Sequence, residues 1–438
     1  MPTSSDSASS ILADLAESYL ADGRPWVVAY SGGKDSTLVL QLVYQTLINL
    51  GPEATKPVYV VSSDTGVEPP NVAAHVESVL LAVEGDAVGR GIALRCHLVR
   101  PTLEEGFWTK LIGKGYPPPT RWFRWCTTNM KIKPSRRAID QIVAEHGSVV
   151  LLLGSRRAES SSRAARMDGR RTNLRNLNPH HEIPNAFVST PIADWSDDEV
   201  WQYLYEHNPP PWGAPHDRML TLYRQAVGGE CPIVMDLDTP SCGGSRFGCW
   251  VCTVVKVDKS MEGFIQSGEE WMAPLAAFRD WLKAYRDQEG TRMAVRRDGS
   301  KGPGPFTPLA RRVILMELLR REKELLELSG KVGLRLISDQ ELLQIQAAWS
   351  GEFDLEDTAL ALVRDAGREL AGGQAVPLSE DDRVMLEDLA AERDINPALI
   401  ARVLELEVDF PNLDRWGART ELRRRLAELI GTAAGAAA

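Results

Sequence analysis

The sequence predicts an α/β fold, a doubly wound parallel sheet, followed by a cysteine-bearing segment and a helical C-terminal region. Three observations predict it. Short apolar runs alternate with helix-period stretches up to about residue 210, four of the six cysteines fall between Cys231 and Cys252, and helical patterns take over beyond residue 300.

The elements follow in order. Ile11–Leu20 has apolar residues at helical spacing and stops at the Asp22, Gly23, Pro25 punctuation. Trp26–Tyr30 reads as a buried strand that enters a glycine turn, and Thr37–Leu50 as the next helix. The unit recurs as strand Val58–Ser62, helix Val72–Val83, strand Ile92–Val99, helix Ser135–His146 and strand Val149–Leu153. Such alternation builds a parallel sheet with helices on both faces, and its ligands sit at the carboxyl ends of the strands. Ser196 and Glu199 form a capping box for a helix through Tyr205, which Pro209–Pro211 ends. The expected division is therefore an α/β domain over 1–210, a cysteine segment over 211–300, and a helical region over 301–438. Gly302–Pro305 reads as the linker between the last two. Beyond it, Leu309–Leu328 and a helix capped by Ser338 and Glu341 carry the pattern on, and the Ala/Gly tail after Ile430 has little to bury.

Composition narrows the classes. The formal charge is −10, which argues against a protein that coats nucleic acid through its whole surface, so any such grip is local. One local candidate is Arg156–Arg175, with seven arginines against Glu159 and Asp168; a solvated loop is the alternative. No apolar run approaches the roughly 20 residues that span a bilayer, so no membrane is expected. The first residues lack a secretory signal, which makes the cytoplasm the expected location. Crowded cysteines favour metal or redox chemistry over a disulfide scaffold.

Ser31, Gly32, Gly33, Lys34, Asp35, Ser36 and Thr37 lie between the first strand and its helix. Paired glycines let the backbone turn tightly and aim N–H groups at an anion, and the helix N-terminus adds about half a positive charge. The spacing is not the Walker pattern, because Asp35 stands where a Ser or Thr would follow the lysine. The string resembles the SGGKDS loop of the PP-loop (N-type) ATP pyrophosphatases. That resemblance implies that Ser31, Gly32, Gly33, Asp35 and Ser36 hold the phosphates of ATP that leave as pyrophosphate, with Lys34 supplying charge. Asp64, at the end of the second strand, suits ribose, adenine or Mg²⁺, or else an ordinary turn. Mg²⁺ is expected because departing pyrophosphate carries charge that a metal offsets.

Further strings resemble the PAPS-reductase-like branch of that class: Arg124, Trp125, Cys126, Thr127, Thr128 with Lys131, Lys133 and Pro134; Gly154, Ser155, Arg156, Arg157, Ala158, Glu159, Ser160 with Arg163; and Pro191 with Asp194, Trp195 and Ser196. Within the branch the chain looks most like the DndC and SspD proteins of DNA phosphorothioation. The resemblance implies Lys131, Lys133, Arg156, Arg157 and Arg163 near nucleotide or activated phosphate, where Arg suits bidentate binding and Lys acts as a point charge. Cys126 then belongs to the substrate pocket as a candidate sulfur carrier, whereas Cys96 reads as a buried small hydrophobe.

Cys231, Cys242, Cys249 and Cys252 can close around one centre, tetrahedral Zn²⁺ or a [4Fe–4S] cluster. A single C-x-x-C pair with two lone cysteines amid glycines tilts the reading toward iron–sulfur, and the resemblance implies the same. Phe107, Trp108, Tyr116, Trp122, Phe123 and Trp125 interleave with Lys110, Lys114, Arg121 and Arg124, as either a base-stacking surface or a packed lid. The expected activity is ATP-dependent sulfur transfer onto a DNA backbone phosphate, with a cysteine desulfurase as donor and other phosphorothioation proteins as partners. A tRNA thiolase, a PAPS reductase and a non-catalytic ATP-binding subunit are the alternatives. The PAPS reductase is disfavoured because the last cysteine is Cys252.

Overall fold

In a computed structural model the alternating elements assemble one six-stranded sheet of order β3-β2-β1-β4-β6-β5. The structure describes residues 4–159, 177–226, 248–331, 333–354 and 356–370, together with positions 390 and 399. The strands are β1 (Trp26–Ala29), β2 (Val58–Ser63), β3 (Leu94–Val99), β4 (Val149–Leu152), β5 (Asn178–Pro179) and β6 (Ala186–Ser189). All neighbours run parallel except the short β5, which pairs antiparallel with β6. This is the expected α/β class. The continuous apolar runs of β1, β2 and β4 suit strands covered on both faces.

The early helices are α1 (Ser4–Leu20), α2 (Lys34–Leu50), α3 (Pro70–Arg90) and α4 (Lys133–His146). Several outrun their sequence expectation, because turn residues such as Pro70 occupy first-turn positions that helices tolerate. On one sheet face Val27, Tyr59, Val61, Val149 and Leu151 pack against Ile139 and Ile142 of α4. The chain order reverses at β1, which has β2 on one side and β4 on the other, and in sheets of this kind ligands sit outside the strands' carboxyl ends at such a switch point. Later come α5 (Asp197–Glu206), α6 (Asp217–Gln225), α7 (Lys259–Gln266), α8 (Ala273–Arg286), α9 (Pro308–Ser329), α10 (Asp339–Ser350) and α11 (Thr358–Asp365). The capping boxes of Ser196 with Glu199 and Ser338 with Glu341 both form.

Two compact units result. The first comprises residues 1–102 and 119–279, the second 103–118 and 280–438. In the first, the C-x-x-C turn is joined to the loop after β2. In the second, Gly302–Pro305 is not an open linker: Gly302 N donates to Ala294 O at 2.9 Å and Gly304 N to Met293 O at 2.7 Å, which folds the stretch back as one arm of a hairpin. Trp108 donates its indole N–H to Leu336 O at 2.7 Å, Trp349 to Ile112 O at 2.9 Å, and buried Arg311 donates to Gly113 O at 3.1 Å. No described helix is long and apolar enough to cross a membrane.

Candidate active site

Between β1 and α2 the backbone must turn sharply, and two glycines carry it. Gly32 has φ +79°, and a Cβ there would stand 2.6 Å from Val76 Cγ2, so neither conformation nor space admits a side chain. Gly33 is the extended N-cap of α2. Ser36 closes the loop: its Oγ accepts from Ser31 N at 3.2 Å and donates to Gly33 O at 2.9 Å, and the Thr37 hydroxyl donates to that same carbonyl at 2.9 Å. The first-turn amides of α2 thus gather at the carboxyl end of β1, where the helix dipole favours an anion.

Lys34 and Asp35 anchor a buried ionic cluster. Lys34 Nζ donates to Asp35 Oδ2 at 2.8 Å and lies 3.4 Å from Asp197 Oδ1. Arg156 Nε donates to the other Asp35 oxygen at 2.5 Å, while its remaining nitrogens reach the Asp197 carboxylate and, at 3.2 Å, Trp195 O. Arg156 is only 2% exposed. Two cations and two carboxylates therefore balance. Burial opposes the Arg156 charge, but Asp35 and Asp197 outweigh it and lift its pKa above the ordinary value. Burial likewise works against the Asp197 charge, yet Arg156 and Lys34 hold it below the usual carboxylate range. Gly154, just past β4, lets this strand end approach the loop: a Cβ there would lie 2.8 Å from the Asp35 carbonyl carbon and 2.9 Å from Ser36 N.

One loop amide already has a protein partner. Lys34 N donates to the Tyr223 hydroxyl of α6 at 2.9 Å, and the Tyr223 ring stands edge-on to Trp201 of α5 with centroids 4.9 Å apart. α5 thus grips the loop through Asp197, and α6 through Tyr223.

A second cluster forms at the end of β2. Thr65 donates its hydroxyl to Glu68 Oε1 at 2.6 Å and lies 3.6 Å from Cys249 Sγ. Trp250 N donates to Val67 O at 3.0 Å, and Cys252 N to Cys249 O at 3.0 Å, so the C-x-x-C turn is seated on this loop. Buried Arg279 holds the turn's exit by donating to Cys252 O at 2.9 Å. Cys126 caps a π-helical turn, Thr127–Ile132, that carries Lys131 into α4; such turns recur at functional sites. Burial pushes Glu68 up to about 7, with the Lys131 charge opposing and Asp64 adding to the rise. Burial, reinforced by Cys252, pushes the Cys126 thiol up to about 11 against the pull of Thr127 and Lys131. In this state Cys126 is a protonated thiol, and a nucleophilic role requires a change in its surroundings.

The structure brings Ser31–Thr37, Gly154 and Arg156 together. It places Lys131 beside Glu68 and Cys126, and Lys133 on the surface. Arg157 pairs with Asp194. The Asp64 carboxylate accepts from Gly66 N at 2.8 Å and Arg100 Nε at 2.7 Å. Arg163, Cys231 and Cys242 lie outside the described residues. Among the described residues no three His, Cys, Asp or Glu side chains are grouped to hold a metal ion, so Cys249 and Cys252 represent half of the proposed ligand set. Both Asp35 oxygens are taken by Lys34 and Arg156, whereas Asp197 has an exposed carboxylate of the kind Mg²⁺ prefers. Of the aromatic–basic string, Phe107, Trp108 and Trp125 are buried, whereas Trp122 and Phe123 are exposed.

Sequence reasoning missed Asp197, Tyr223 and Glu68 as site residues. Asp197 was visible only as a first-turn acid of a capping box. Tyr223 stands 189 residues from the amide it meets, with no local signal.

A model of the phosphoadenosine phosphosulfate reductase domain matches residues 25–255. An uncharacterized protein of Methanocaldococcus jannaschii is 28% identical over 270 residues, which is 61% of this chain; the chain spans 44% of that relative's length. Among solved structures, the U34-tRNA thiolase NcsA from Methanococcus maripaludis with its [4Fe-4S] cluster aligns over 65% of this chain and 81% of its own, at 11% identity and a TM-score of 0.30. Candida glabrata FMN adenylyltransferase, in complex with FMN and an ATP analogue, aligns over 70% and 82%, at 12% identity and a TM-score of 0.29.

Proposed function

The chain belongs to the phosphoadenosine phosphosulfate reductase domain family, and from that premise we propose that it uses ATP to prime a DNA backbone phosphate for replacement of a non-bridging oxygen by sulfur. The observation that carries the ATP half is the Ser31–Ser36 turn with Lys34, Asp35 and Arg156 gathered on it. A non-bridging oxygen is a very poor leaving group, and adenylation converts it into a good one. The phosphate oxygen attacks the α-phosphorus of ATP, and pyrophosphate leaves into the loop, where amides of the α2 N-terminus and Lys34 take up its charge. Asp197, the more exposed of the two carboxylates, would hold Mg²⁺, which offsets phosphate charge. The terminal sulfur of a persulfide then displaces AMP, and a thiol cleaves the remaining S–S bond to free the phosphorothioate and leave a disulfide. A cysteine desulfurase would supply the persulfide, and other phosphorothioation proteins would present the DNA.

Cys249 and Cys252, with Cys231 and Cys242, would hold an iron–sulfur cluster, which would supply a thiolate-bound metal centre beside the sulfur chemistry. Cys126, next to Lys131, is the candidate sulfur carrier.

The test is pyrophosphate release from ATP in the presence of DNA, and sulfur content of nuclease-digested DNA from cells with and without the chain. Asp35→Ala is expected to lower release at least 100-fold, because it removes a loop carboxylate and takes from the buried Arg156 one of the two carboxylates that balance it. Full-rate release by that variant overturns the loop assignment. Sulfur found in tRNA instead of DNA keeps the adenylation chemistry and replaces the substrate.

A further inference from the structure

We propose that the Thr120–Arg124 turn is a stacking hook for an unpaired base of the nucleic-acid substrate. Trp122 is 91% exposed, the most exposed large apolar side chain among the described residues, and Phe123 beside it is 43% exposed. Leaving an indole in water forgoes a large burial gain, so an exposed Trp on a well-formed turn is a feature to be explained. The turn is well formed. Thr120 N donates to Phe123 O at 3.1 Å and Phe123 N to Thr120 O at 3.2 Å, while Thr120 Oγ1 accepts from Trp122 N at 3.3 Å and Phe123 N at 3.2 Å.

Its base is anchored on both sides. Thr253, directly after the C-x-x-C pair, donates its hydroxyl to Pro119 O at 2.7 Å, and Trp125 is buried immediately before Cys126. The hook is therefore tied by covalent chain and hydrogen bond to both cysteine-bearing loops.

Charge selects the occupant. Arg121 lies with its guanidinium 6.0 Å from the Trp122 ring centroid, and Arg124 follows two residues on, in a chain whose formal charge is −10. An exposed aromatic face with the Arg121 guanidinium beside it matches a base with its adjoining phosphate. In a duplex the base faces are already stacked on each other, so the match is to a single-stranded or extruded nucleotide. A hook of this kind would hold the strand while a neighbouring phosphate is modified. This inference rests on the nucleic-acid reading of the substrate but not on ATP chemistry.

The test uses the full chain without ATP and measures anisotropy of a labelled single-stranded oligonucleotide, its abasic counterpart and the duplex. Trp122→Ala is expected to weaken binding of the base-bearing strand by about 10-fold, the scale of one base–aromatic stack, and to leave the abasic strand bound as by the wild type. Trp122→Phe should recover most of the loss. Arg121→Ala should reduce the salt dependence on both strands. Equal affinity of wild type and Trp122→Ala for the base-bearing strand overturns the proposal, as does an equal loss on the abasic strand. Pyrophosphate release, assayed separately, reports on the ATP reading, so either can fail alone.

Discussion

Gly154 shows how narrowly the loop is built. A methyl group at this position meets the backbone of Asp35 and Ser36 rather than a flexible side chain, so it can be admitted only by moving the Ser31–Thr37 loop itself. Gly154→Ala is expected to cost about 1–3 kcal/mol of stability, typical of overpacking, and to reduce pyrophosphate release far more than that loss of folded protein explains. A variant that melts lower but turns over ATP normally would show that the loop tolerates the shift. Asp35 is constrained in the same way by charge: it is the shared acceptor of Lys34 and Arg156, and removing one member of a buried pair costs about 3–5 kcal/mol. The glycines, Lys34 and Asp35 were legible in the sequence because they are contiguous. The part played by Asp197 was not, because a first-turn acid serves a helix equally well with no ligand nearby.

At the scale of elements, α6 deserves its own experiment because it supplies the hydroxyl that the Lys34 amide now meets. A nucleotide oxygen that uses this N–H must displace Tyr223. Tyr223→Phe keeps the ring against Trp201 and deletes the competing oxygen. The KM for ATP is expected to fall by about 2- to 10-fold, the worth of one net hydrogen bond. A rise in KM would mean instead that the hydroxyl contacts the nucleotide. Strands β1, β2 and β4 were readable as unbroken apolar runs, and α5 and α10 from their capping boxes. The two-residue β5 was not readable: it exists only as a partner to β6 and has no period of its own. The π-helical turn carrying Lys131 was equally silent, since one extra residue per turn leaves no mark on composition.

Across the whole molecule, buried histidines set an acid limit. Burial lowers both His75 and His216 from 6.5 to about 4, and His216 Nε2 is bound to Gln41 Oε1 at 2.8 Å. The unfolded chain takes up these protons near pH 6.5 and the folded chain only near pH 4. Their contribution is therefore complete above pH 6.5 and lost as pH falls toward 4, on the order of 3 kcal/mol for each. Glu68, raised by burial, has the opposite sign and loses its contribution as pH rises from 4.5 to about 7. Thermal midpoints between pH 7 and 4.5 should drop steeply for the wild type and less for His216→Gln. Parallel curves would remove His216 from the account.

The strip Leu103–Pro118 interrupts the first unit yet belongs to the second. Trp108, Ile112 and Gly113 reach partners more than 190 positions later in sequence. An excised fragment ending near residue 255, where the family match stops, would keep the Ser31–Thr37 loop but strand Phe107, Trp108, Leu111 and Ile112, all fully enclosed in the intact chain. Dissection by family boundary would thus yield a sticky, aggregation-prone piece, and a minimal active version of this protein must retain α9 and α10 even though neither touches ATP in the proposed chemistry.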